Sequence, residues 1–188
     1  VALIPAMNDP LPETPKVLLS VMRRFMQSGL TRPLAERVHR STLTADGHLK
    51  LKGRVHHIYP QPDNAALAEV VARHPKRFLG WIFLNPRAGN ALDELERFLA
   101  PGMVGIKLHP HWHDYTTDAL DPILRRAEEL RMPVLIHLGF GKRGDYRAIA
   151  ARYPKLAVIS AHAGFPFFQD LWAHKRDCPN LHVDLSSP

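Results

Sequence analysis

The chain has 188 residues, 45% of them apolar, and 25 Lys and Arg against 18 Asp and Glu give a net charge of +7. This suits one globular domain with a sizeable core, and no apolar run approaches the ~20 residues of a membrane helix. The cations form no block of five and no aromatics interleave with them, so they read as a solvated surface or a site for acidic small molecules, not as a nucleic-acid or membrane binder.

The first residues, Val-Ala-Leu-Ile-Pro, lack the basic start and the cleavage site of a signal peptide. Cys178 is the single cysteine. It can form no internal disulfide, and a cytoplasmic location is expected. Twelve His direct attention to metal or acid–base chemistry, because neutral imidazole ligates metals and titrates near neutrality. The partners expected are a small-molecule substrate and, as an open alternative, a second copy of the chain.

In chain order, Val1–Met7 opens as a buried strand that Pro5 should end early. A Pro-rich loop follows to Pro15. Thr14 and Pro15 then start a helix over Lys16–Gln27, stopped at Ser28-Gly29. Residues 30–63 fit no repeat. They read as an insertion with a helix near Pro33–His39 and a hairpin beginning at His48, placed where barrels build substrate pockets. Regular alternation then returns. Helices are expected at Asn64–His74, Asn90–Leu99, Leu120–Leu130 (capped by Asp118 or Asp121), Asp145–Arg152 and Phe167–Lys175. Strands are expected at Phe78–Leu84, Val104–His109, Val134–Leu138, Leu156–Ala161 and Leu181–Leu185.

Strands alternating with helices predict an α/β fold with a parallel sheet. No G-x-G-x-x-G follows the first strand, which disfavours a dinucleotide-binding sheet. A (β/α)8 TIM barrel is expected, but a full one needs ~250 residues. Six strands would be an incomplete set, so residues 1–188 are read as a single partial barrel domain belonging to a longer protein.

Barrels present reactive groups at the C-terminal ends of their strands. Three strand ends carry His: Gly105-Ile-Lys-Leu-His-Pro110, Pro133-Val-Leu-Ile-His-Leu-Gly139 and Leu156-Ala-Val-Ile-Ser-Ala-His-Ala-Gly164. With a period of two, Leu135 and His137 share one face. Val158, Ser160 and His162 likewise share a face, expected to be the lumen, where His137 and His162 could share a metal or a water. Lys107 and His109 share a face and could bind a substrate carboxylate. His111 and His113 read as metal-binding or as surface residues of a loop. Asp184 either bonds a catalytic His or closes its strand.

Four stretches in this order are similar to the amidohydrolase superfamily, in particular amidohydrolase family 2, related to aminocarboxymuconate semialdehyde decarboxylase. They are Gly-Ile-Lys-Leu-His-Pro at 105–110, Pro-Val-Leu-Ile-His at 133–137, Ile-Ser-Ala-His-Ala-Gly at 159–164 and Asn-Leu-His-Val-Asp-Leu-Ser at 180–186. The resemblance implies that these are barrel strands two to seven, that His137 is a metal ligand, and that His162 is the catalytic residue that activates or orients a water. It implies a divalent metal, zinc or manganese. The family's first-strand His-x-His pair and eighth-strand Asp have no counterpart here, which leaves one or two of the three ligands of an open zinc site. Three readings stay open: a metal-dependent hydrolase of a small carboxylate-bearing amide or lactone, a decarboxylase of an unsaturated or aromatic acid, and a non-catalytic barrel remnant.

Overall fold

The computed structural model describes residues 1–10, 13, 16–44, 47–51, 53–58, 61–113, 115–138 and 145–186. The expected Thr14–Pro15 helix start and the Gly139 after His137 lie outside them. In chain order the elements are β1 (Ala2–Leu3), α1 (Lys16–Gln27), α2 (Arg32–Thr42), β2 (Leu49–Leu51), β3 (Arg54–His56), α3 (Asn64–Arg73), β4 (Leu79–Phe83) and α4 (Ala91–Arg97). Then come β5 (Met103–Leu108), α5 (Pro110–His113), α6 (Asp121–Leu130), β6 (Val134–Ile136), α7 (Tyr146–Arg152), β7 (Val158–Ser160), α8 (Phe168–Lys175) and β8 (Leu181–Val183). Short 3-10 turns lie at Thr117–Leu120 and His162–Gly164. No helix among the described residues is long and apolar enough to cross a membrane.

Six strands pair in parallel in the order β1-β4-β5-β6-β7-β8. The strands are apolar on the face that the helices cover. Ile82, Ile106, Leu108, Val134, Ile136 and Val158 bury that side against Leu95, Leu124, Ala127 and Ile149 of α4, α6 and α7. A smaller core of Leu49, Ile58 and Phe83, with Leu43, Leu51 and Trp112 packed on it, seats the β2–β3 hairpin above the ends of β4 and β5. Gly47 lets the hairpin approach. Its φ is +79°, and a Cβ there would strike the Trp112 carbonyl oxygen.

β1 reaches only Leu79 and Gly80 of β4. Asn64, the buried first residue of α3, serves the next stretch. Its amide donates to the Phe83 carbonyl oxygen at 2.9 Å and accepts from the Phe83 N–H at 2.9 Å. The expected Asp caps of α6 are not found. Leu120 takes the N-cap position without a side-chain bond, and Asp121 is the first helical residue. There Asp121 pairs with Arg125 and Arg152 and accepts from the Tyr153 hydroxyl, so its side chain is drawn towards α7 and not towards the α6 backbone.

Replacing Asn64 with Ala should cost ~2–5 kcal/mol, because it orphans a buried donor and a buried acceptor at once. Urea unfolding measures this, and a loss below ~0.5 kcal/mol would contradict the pairing.

Candidate active site at the strand ends

The register of β5 on β6 sets Lys107 beside Leu135 and Ile106 beside Val134. Ile106 and Val134 face the helices, so Lys107 and His109 face away from them, as does His137 one pleat beyond Leu135. Lys107 Nζ lies 2.6 Å from His137 Nδ1. The His109 and His137 rings stack with centroids 3.7 Å apart.

His162 arrives by another route. Val158 pairs with Val134 and Ser160 with Ile136, so both lie on the buried helix side, not on the face of His137. Strand alternation would carry His162 there too. The chain instead leaves the strand at Ala161 and turns left-handed, with φ of 51° at His162 and 55° at Ala163. That turn swings the imidazole back until its centroid is 4.7 Å from that of His137, edge to face. The expectation that His137 and His162 come together agrees with the structure, but the shared face expected for Val158, Ser160 and His162 does not.

Asp184 and Ser186 hold His162 from the other side. The Ser186 N–H donates to Asp184 Oδ1 at 3.0 Å, the Ser186 hydroxyl donates to Asp184 Oδ2, and His162 Nδ1 lies 3.2 Å from the same hydroxyl oxygen. His162 Nδ1 also lies 3.3 Å from the Ser186 carbonyl oxygen. A carbonyl only accepts, so Nδ1 is the donor and the neutral ring keeps its lone pair on Nε2. Burial raises the Asp184 carboxyl, but bonds from the Ser186 hydroxyl and N–H and from the His162 N–H, with electrostatic attraction to the His162 ring, outweigh it and hold the carboxyl below its usual range. Sequence reasoning gave Ser186 no role. The signal for it was Asp184 two residues earlier, the spacing at which an Asp side chain bonds the backbone ahead of it.

His111 and His113 are not surface residues of a loop. They sit on α5, where His113 is buried against Phe83 and His111 Nε2 lies 2.9 Å from the Leu138 carbonyl oxygen. The imidazoles form a continuous series: His39 to His111 at 5.3 Å, His111 to His109 at 5.7 Å, then His137 and His162.

Burial lowers the Lys107 ammonium to about 7, against an opposing pull from the Asp184 carboxylate. Burial, followed by repulsion from the neighbouring cations, also pushes His109 and His137 well below their usual range. The Lys107–His137 contact therefore has two forms. A Lys107 ammonium donates to Nδ1, which leaves the His137 proton on Nε2. A neutral Lys107 amine accepts from Nδ1–H, which leaves a lone pair on Nε2. Among the described residues no partner takes Nε2 of His137 or His162.

These donors fit a share of a metal centre. His137 Nε2, in its second form, and His162 Nε2 suit zinc or manganese, whereas among the described residues no group of three His, Cys, Asp or Glu is gathered to hold an ion.

The family model described as Amidohydrolase matches residues 35–188. No curated protein matches the chain. Among solved structures, an uncharacterized TIM-barrel protein from Bordetella bronchiseptica is similar at a TM-score of 0.56 and 17% identity, over 90% of this chain and 68% of that one. The likeness shows the fold: the six parallel strands are a stretch of a TIM-type barrel.

Lys107→Met should be more stable than the wild type at pH 7. The folded-state pKa is depressed from 10.5 to about 7, so the wild type recovers stability as pH rises between these values, by ~1.4 kcal/mol per unit at most. The gap between the two proteins should shrink from pH 7 to 9.5 in denaturant titrations. A constant gap would show that Lys107 is not buried as described.

Proposed function

The chain belongs to the amidohydrolase family, and from that premise we propose that it carries the water-activating side of a metal-dependent hydrolase centre, with His162 catalytic, His137 a metal ligand, and Lys107 and His109 at the substrate. The observation that carries this reading is the juxtaposition of His137 and His162, rings 4.7 Å apart, each with Nδ1 engaged and Nε2 without a partner among the described residues.

A divalent metal, zinc or manganese, would be held in part by His137 and would supply a water of lowered pKa and polarise a carbonyl. The chain's own residues do the rest. His162 accepts a proton at Nε2, and the Ser186–Asp184 pair stabilises the imidazolium that results by accepting from Nδ1–H. Lys107 fixes the orientation of the His137 ring through Nδ1, as partners one step removed from a metal usually do. With its lone pair accepting from His137 Nδ1–H, the Lys107 amine keeps two N–H donors for a substrate carboxylate, which suits a small carboxylate-bearing amide or lactone. A decarboxylase would use the same residues, with the His162 imidazolium delivering its Nε2 proton to the carbon that loses carbon dioxide and returning to the neutral ring with its proton on Nδ1.

His137→Ala should abolish turnover and lower the bound metal in the metal-loaded full-length protein, measured by elemental analysis alongside a panel of amides, lactones and unsaturated acids. Unchanged metal content and turnover would reject the assignment. Release of carbon dioxide without hydrolysis would select the decarboxylase. Ser186→Ala should reduce turnover ~10–100-fold and shift the acidic limb of the pH–rate profile, because His162, which works as a proton acceptor, then loses the link to Asp184. A pH profile identical to that of the wild type would reduce Ser186 to a structural residue.

A further inference from the structure

Between α1, α2, the β2–β3 hairpin and Trp112 lies a cavity of about 430 Å³, within the range of ligand pockets. Its walls are carbon from Met22, Phe25, Leu34 and Val38, with His39 one of its few polar side chains. Leu34 and Val38 stay 58% and 54% exposed, although α1 and α2 pack on each other. Apolar side chains left open in this way around a concave site mark a binding surface.

Two of its walls are shared with the site at the strand ends. Trp112 lines the cavity and its ring lies 5.3 Å from that of His109. His39 lines the cavity and its ring lies 5.3 Å from that of His111. The cavity thus abuts the series of imidazoles that ends at His137 and His162. The two helices above it carry Lys16, Arg23, Arg24, Arg32, Arg37 and Arg40 against one acid, Glu36, which Arg40 already pairs at 3.1 Å. A second copy of this chain would bring the same cations against them. An anion would be drawn in.

We propose that this cavity receives the hydrocarbon arm of an anionic substrate whose reacting end lies at His109 and His137. The substrate class is a carboxylate bearing a long acyl or aryl-alkyl arm. This rests on the reading of the imidazole cluster as the reacting centre, but the cavity can be tested without turnover.

Calorimetry on the metal-free full chain uses three probes below their aggregation limits: decanoate, decylammonium and butyrate. Decanoate should bind at least tenfold tighter than either of the others. Leu34→Gln with Val38→Gln, both at exposed positions that the fold does not depend on, should weaken decanoate at least tenfold. Decanoate should also shift the ring nitrogen resonances of His39 and His111. Equal binding of decanoate and decylammonium, or an unchanged affinity in the double variant, would overturn the proposal. So would a wild-type dimer in sedimentation that the double variant splits, because the groove would then belong to a second copy. Selective decanoate binding by a protein inert towards every acid, amide and lactone tried would support the cavity while overturning the hydrolase reading.

Discussion

The parallel register of β5 on β6, with Lys107 opposite Leu135, is the constraint on which the site depends. It places the buried lysine one pleat below His137 on a neighbouring strand, and the 2.6 Å contact follows. A slip of one residue would turn Lys107 into the helix-side core and Ile106 towards the imidazoles. The aliphatic packing of Ile106, Leu108, Val134 and Ile136 forbids that slip, so the core fixes the electrostatics of a site it does not touch. Desolvation then lowers the lysine, and the charge on the lysine decides whether Nε2 of His137 carries a proton or a lone pair.

Much of this was legible in the chain. Alternating apolar runs and amphipathic helices gave the six parallel strands, and Pro5 placed the early end of β1, because these depend on local pattern. α1 also follows its expected bounds. Period two placed Lys107, His109 and His137 on one face. It misplaced the approach of His162, because the left-handed turn at His162 and Ala163 has no marker in Ala-His-Ala and strand alternation stops where that turn begins. The expected α6 caps failed for a related reason: the partners of Asp121 lie on α6 itself and on α7, and α7 is far along the chain.

Residues 30–63 were the least readable, since they fit no repeat. Their hairpin is fastened by a separate small core under Phe83 and Trp112 and is not continuous with the main one. That separation leaves the walls above the strand ends free to vary in shape while the sheet beneath stays fixed. The imidazoles at the strand ends and the walls above them thus rest on different sets of contacts.

The amide of Asn64 behaves as a strand one residue long. It offers β4 the donor and acceptor that a neighbouring strand would have offered, but it has no continuation and so cannot be extended. A backbone edge satisfied in this way gives an incoming chain no ladder to join. The polar side chain therefore protects against misassembly, closing to foreign strands the stretch of sheet that β1 does not cover.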